Sequence, residues 1–329
     1  MGRFVLRRIL LMIPTLFIVS TISFFLIDAP PGDFVSAYAA RLEDRGAEVD
    51  RQALQAMRQR YGLDQPVHVR YLRWMGNMAR GDLGMSMDWR APVTTVIARR
   101  IPNSLIISLA AFILVHVVAI PIGMLSALKQ YSPADFLFTF VAFIGLGIPN
   151  FLFALVVLWL MYESTGTVMI GLYSREFLGA PWSLAKVWDL LKHLWIPAII
   201  VGTEGMAKIV RYMRATMLDE LGKPYVMVAR AKGLSRARLN YKYPFRIAIN
   251  PIVSTIGWTL PSLITGEMLV SLVLGLPTLA PIFLRSLQMQ DMYLAGGIVW
   301  VLTSLTLVGT LLSDILLGWI DPRIRFSSM

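Results

Sequence analysis

Apolar residues fill six stretches of this chain: residues 4–27, 102–128, 136–162, 195–210, 251–276 and 292–320. A hydrocarbon core of roughly 30 Å is crossed by about 20 apolar residues in a helix, and helices satisfy their own backbone polar groups. The pattern therefore predicts six membrane-crossing helices. The fourth stretch is short and carries Glu204 and Lys208, so its helix would extend back toward Leu190. An even number of crossings places both chain ends on one side. Pro and Gly recur inside the apolar runs, at Pro121, Gly123, Gly145, Gly147, Pro149, Gly257 and Pro261. Kinks and close helix approach are the expected consequences.

The polar stretches between these runs carry helices of their own. RQALQAMRQRYG, from Arg51, predicts a polar helix ending near Gly62, and PVHVRYLRWMGNMARG, from Pro66, an amphipathic one ending at Gly81. GDLGMSMDWRAPV follows as turns and a short extended piece. Between the third and fourth runs, Tyr173, Phe177, Trp182 and Trp188 suit a membrane interface. GKPYVMVARAKGLS, residues 222–235, predicts a short helix with Pro224 at its first position and Gly233 ending it in the left-handed conformation. At 1.5 Å per residue such a helix is only about 13 Å long. It must lie across the membrane face or dock into something. Tyr225, Val228, Ala229 and Lys232 share one spacing, small Ala229, Ala231 and Gly233 permit close approach, and Arg230 and Lys232 supply charge at the rim.

Composition agrees with a membrane protein: 56% of the 329 residues are hydrophobic and 16% charged, with a mean hydropathy of +0.63. The net charge of +11 invites a nucleic-acid reading, but its distribution argues against one. Residues 211–250 hold nine Lys and Arg against Asp219 and Glu220; Arg3, Arg7 and Arg8 precede the first run, and Arg323 and Arg325 follow the last. The positive-inside rule makes these three regions cytoplasmic and residues 28–101 extracytoplasmic, since a loop that long translocates largely regardless of charge. A cleavable leader fits poorly, because the first run is long and no A-x-A site follows it directly. With no Cys, disulfides and thiolate metal sites are excluded.

Ionisable residues at membrane depth are expensive and usually pair or line a pathway. Glu204 and Lys208, four apart, read as an ion pair. Glu267 has no obvious local partner in sequence and is a candidate for facing a translocation path or a partner chain, with Ser271 near it. His116 reads as a satisfied polar group between helices. H-E-x-x-H, G-x-S-x-G and phosphate-loop patterns are all absent from the sequence. One reading of the buried carboxylates Glu204, Glu267 and Asp314 is an ion-coupled secondary transporter that uses them as relays.

The stretch RYMRATMLDELGKPYVMVARAKGLSRARLNYKYPFRIAINPIVS resembles the signature loop of integral-membrane permease subunits of ATP-binding-cassette importers, in the dipeptide, oligopeptide and nickel branch. RFVLRRILLMIPTLFIVSTISFFLI with PPGDF, YGLDQPVHVRYLRWMGNMARGDLGMSM, RIPNSLIISLAA and DILLGWIDPRIRF are similar to other parts of the same family, so the resemblance covers nearly the whole chain. It implies an all-α integral membrane protein with six transmembrane helices of the type I importer permease fold. Residues 1–27 would form the tail and first helix, 28–101 a small extracytoplasmic segment, 102–320 the permease core with a cytoplasmic coupling loop at 211–250, and 321–329 a cytoplasmic tail.

The resemblance further implies a non-catalytic subunit that forms half of a pathway for peptides or oligosaccharide-like solutes in the bacterial inner membrane. Its partners would be membrane lipid, a homologous second permease, two ATPase subunits that bind ATP and Mg, and a periplasmic or extracellular substrate-binding protein; nucleic acid is not among them. Docking on the ATPase would fall to Tyr225, Ala229, Arg230, Ala231, Lys232, Gly233 and Leu234. Departures from the family pattern also occur. Its EAA positions fall on Met227, Val228 and Ala229, the spacer His corresponds to Tyr243, and a Glu and Pro-Gly found in peptide members correspond to Ser271, Pro277 and Thr278.

Overall fold

A computed structural model describes residues 2–168 and 171–320, without the side chains of residues 2–4, 257, 258, 260, 261 and 316–320. Arg323, Arg325 and the tail 321–329 lie outside the described residues. The described residues are helical throughout, apart from turns and one isolated bridge between Met85 and Pro92. In chain order the first helices are α1 (Gly2–Asp28), α2 (Phe34–Asp44), α3 (Arg51–Tyr61), α4 (Val67–Ala79) and α5 (Val93–Ala98). Next come α6 (Ile101–Leu128), α7 (Pro133–Gly147), α8 (Asn150–Thr165) and α9 (Leu184–Leu221). The remainder are α10 (Pro224–Ala231), α11 (Arg236–Lys242), α12 (Pro244–Ala248), α13 (Asn250–Val273), α14 (Leu279–Gln288) and α15 (Met292–Ile320).

By length and composition, three helical stretches among the described residues suffice to cross a membrane: Val5–Asp28, Val93–Leu128 and Met292–Ile315. The bent pair α7 and α8 makes a fourth if it counts as one span. This replaces the expected single span over 136–162, kinked at its Pro and Gly, with two separate helices. The two halves diverge by 106°, because Pro149 lacks an N–H and disfavours helical geometry in the residue before it. Ile148 is accordingly extended, at φ −99° and ψ 120°. The fourth apolar run lies within α9, a 38-residue helix about 57 Å long at 1.5 Å per residue. The fifth forms α13 as far as Val273, and its last three residues lie beyond the helix.

The chain divides into two compact units. One comprises 2–103 and 277–308. Its core gathers Phe24, Trp74, Met78, Val93, Ile97, Leu279, Leu294 and Ile298 from α1, α4, α5, α14 and α15. The helices expected from Arg51 and Pro66 are α3 and α4. Gly62 ends α3 in the left-handed conformation, at φ +66°. Asp33 caps α2 by accepting from the Ser36 N–H at 2.7 Å and pairs with Arg58 of α3 at 3.0 Å. Arg70 of α4 meets Asp28 at the end of α1 at 2.8 Å. Trp74, fully buried, packs so tightly on Gly296 that a Cβ there would lie 2.7 Å from its ring.

The other unit comprises 104–276 with residues beyond 309. Helix α9 is its axis, packed by α7, α8, α12 and α13. Glycines set the approach: a Cβ on Gly123 of α6 would meet Met213 Cβ at 2.6 Å and the Val210 carbonyl at 2.7 Å, and one on Gly145 of α7 would meet Thr203 at 3.0 Å. Asp135, buried in the first turn of α7, accepts from Arg214 Nε and Nη2, both at 2.8 Å. It also accepts from the Ser126 hydroxyl of α6 and from the Tyr131 N–H at 3.0 Å. One carboxylate thus binds three helices together.

Candidate functional site

The polar segment after α9 folds back at once. Gly222 and Lys223 make the turn, Pro224 opens α10, and Gly233 follows it at φ +76°. The expected short helix is present with the expected start and stop. Val226 and Ala229 of α10 are buried against Leu239 of α11, and Tyr225, Leu234 and Tyr243 pack around them. The Tyr225 hydroxyl donates to Glu220 Oε2 in the last turn of α9. Burial first, and then that hydrogen bond, push the phenol up to about 12. Thr216 Oγ1 of α9 donates to the Ala248 carbonyl of α12 at 3.0 Å, so the loop is held at both ends.

The residues singled out by sequence therefore divide. Ala229 is buried, Tyr225 and Leu234 are half-buried, and all three hold the loop together; Arg230, Ala231, Lys232 and Gly233 are exposed. Met227 and Val228, not singled out as contacts, present large apolar side chains to the outside at 55% and 56% exposure. The signal that would have found them is spacing. Once Val226 and Ala229 are assigned inward, three apart, Met227, Val228 and Ala231 must face the other way.

A cleft of ≈ 350 Å³, apolar over most of its lining but carrying several polar side chains, lies in the same unit, between α8, α9 and α13. On its α9 wall Lys208 Nζ lies 2.5 Å from Glu204 Oε1, each side chain more than half exposed. On its α13 wall stand Thr255, Thr259 and Ser262. Asn150, just after the α7–α8 break, also lines it, and its Oδ1 is buried with no hydrogen-bond partner among the described residues. Glu267 and Ser271 are not open to this cleft: both are buried, at 1% and 0% exposure. Glu267, which had no partner evident in sequence, accepts from the Ser271 hydroxyl one turn on. His116 is held within its own helix, its Nδ1 2.8 Å from the Phe112 carbonyl oxygen.

Among the described residues no group of three or more His, Asp or Glu is arranged to hold a metal ion. What the unit offers is a cleft lined by an ion pair and hydroxyl side chains and, after its axial helix, a short helix with an exposed apolar pair. Residues 119–326 match the family described as binding-protein-dependent transport system inner membrane component. Residues 1–110 match the N-terminal part of such membrane components.

The chain belongs to this family. It is similar to the oligopeptide transport system permease protein AppB of Bacillus subtilis (strain 168), at 35% identity over 327 residues covering 99% of this chain and 100% of that protein. It is 32% identical over 342 residues to the dipeptide transport system permease protein DppB of Escherichia coli (strain K12), covering 99% of each. The inner membrane ABC transporter permease protein YejB of Escherichia coli O157:H7 is 29% identical over 364 residues, again covering 99% of each. As a family member the chain is a multi-pass inner-membrane permease subunit, non-catalytic and without a cofactor of its own.

Proposed function

We propose that this permease forms half of the translocation path of an ATP-driven peptide importer and that α10 is its docking peg for the ATPase. The observation that carries this reading is the exposed face of α10, where Met227 and Val228 stand beside Arg230 and Lys232 while the opposite face is buried on α11. An apolar pair ringed by cations suits a groove on another protein. Peptide is the solute named for the AppB and DppB relatives. The assembly in this reading contains a second, homologous permease, two ATPase subunits that bind ATP and Mg, and a substrate-binding protein on the outer side. Six spans put both termini and residues 211–250 in the cytoplasm and 28–101 outside; residues 102–320 form the core and 321–329 a cytoplasmic tail. Arg230, Ala231, Lys232 and Gly233 contact the ATPase, whereas Tyr225, Ala229 and Leu234 hold the peg's shape. Glu267 and Ser271 support the pathway from behind its wall.

Cross-linking tests the peg. A cysteine at Val228, in the reconstituted assembly, is expected to form an adduct with a cysteine-bearing ATPase subunit, and Val228→Asp is expected to abolish uptake while leaving membrane insertion intact. Full uptake by Val228→Asp refutes the docking role. Loss of every transport activity toward peptides in the wild-type assembly refutes the solute.

A further inference from the structure

The Glu204–Lys208 pair is in an unusual position. Ionised side chains within a membrane-embedded helix are costly unless they face water or another polar group, yet these two are 51% and 56% exposed in the middle of α9. The faces of α9 around them are apolar and buried, through Val201, Ala207, Ile209 and Val210. The cleft gives the pair its polar surroundings.

The wall opposite has a definite hydrogen-bonding polarity. Thr255 Oγ1 donates to the Ile252 carbonyl at 2.7 Å, Thr259 Oγ1 to the Thr255 carbonyl at 2.8 Å, and Ser262 Oγ to the Thr259 carbonyl at 2.8 Å. Each hydroxyl hydrogen is thus engaged within α13. A hydroxyl whose proton is engaged keeps acceptor lone pairs, so this stripe offers acceptors to the cleft. Asn150 adds a further polar group without a partner of its own at Oδ1. Acceptors on one wall and a carboxylate beside an ammonium on the other match a ligand that carries N–H donors along its length and opposite charges at its two ends.

We propose that Glu204 and Lys208 form a subsite for the charged termini of a zwitterionic peptide in transit, exchanging their mutual bond for the peptide's ammonium and carboxylate while Thr255, Thr259 and Ser262 accept from its amide N–H groups. The inference rests on the peptide-import reading and adds to it a basis for recognition. Termini and main chain are common to all peptides, so such a subsite accepts any side chains. It favours free peptides over capped ones.

The test uses the complete assembly in liposomes, with its binding protein saturated in turn by trialanine and by N-acetyl-trialanine amide. Wild type is expected to carry the free peptide better than the capped one. In Glu204→Gln/Lys208→Met the free peptide is expected to slow about tenfold or more, the scale of lost hydrogen bonds to charged groups, and the two peptides to move at equal rates. A merely structural ion pair predicts the opposite, because replacing both partners together is nearly neutral. Unchanged uptake of the free peptide by the double variant, with the preference intact, therefore overturns the subsite alone. Thr259→Val, which leaves both charges in place, provides an independent arm: slower uptake of both peptides supports the acceptor wall, and wild-type uptake of both overturns it. A wild-type assembly that carries neither peptide overturns the import reading, and the subsite with it.

Discussion

Arg214 of α9 grips Asp135 of α7 with two nitrogens, Nε and Nη2, each 2.8 Å from a different carboxylate oxygen. The carboxylate is almost wholly buried, and its further bonds come from Ser126, Tyr131 and, at 3.5 Å, Thr139. A fork of this kind fixes the angle between two helices as well as their distance. Removing one partner leaves a buried charge without compensation. Arg214→Ala is therefore expected to destabilise the unit by about 3–5 kcal/mol, and Asp135→Asn with Arg214→Gln by less than either single change. Thermal unfolding of the detergent-solubilised chain measures both.

Gly123 is set for contact rather than for bending. A methyl there would meet Met213 Cβ at 2.6 Å and backbone at Val210 at 2.7 Å, and the backbone of a long helix cannot yield locally. Gly123→Ala is expected to cost about 1–3 kcal/mol through overpacking. Gly147, whose Cβ would meet nothing within 4 Å, is the control, and Gly147→Ala is expected to leave the unfolding temperature unchanged.

The peg is tied to α9 by a phenol. Tyr225 has its pKa raised to about 12, by burial and then by its bond to Glu220. Its folded value lies above the unfolded value of about 10. Its stabilising contribution is therefore complete below pH 10 and is lost as the pH rises through 12. A spectrophotometric titration of wild type minus Tyr225→Phe is expected to show one phenolate transition near pH 12. Tyr225→Phe itself is expected to weaken uptake while leaving the helix content unchanged, since the ring still fills its place.

In the unit built from residues 2–103 and 277–308, Asp33 titrates in the opposite sense. Burial pushes its pKa up, but hydrogen bonds from Ser36 and the charge and hydrogen bond of Arg58 together hold it below the usual carboxylate value. The stability it contributes is present above about pH 3.8 and lost as the pH falls through its folded value. Asp33→Ala is expected to cost about 1 kcal/mol as a lost helix cap and to flatten that acid limb in a pH series of unfolding curves.

Much of this molecule was legible in its residue order because it rests on local rules. Pro224 at the first turn and Gly233 past the last one bracket α10, and Gly62 ends α3 in the same manner. The break between α7 and α8 was harder to read. Residues 136–162 are apolar but for Thr139 and Asn150, and Pro149 read as a kink when it in fact separates two helices at 106°. Helix α14 passed unnoticed because its sequence joins two apolar runs. Long-range pairings had no local signal at all. Asp135 and Arg214 are 79 residues apart, and Ser86 donates to Asp291 across 205. The cleft's acceptor wall was present as Thr255, Thr259 and Ser262, a 4-then-3 spacing that marks one face of a helix. Its meaning depends on what α9 sets opposite.

The length of α9 has a mechanical consequence. A 38-residue helix, anchored to α10 by Tyr225 and to α7 by Arg214, is long enough to serve as a lever arm. Tilting a rod about 57 Å long by roughly five degrees around its middle displaces each tip by about 2.5 Å. In the docking reading, a shove on the peg moves the far end by the same distance in the opposite sense, about the width of a layer of water.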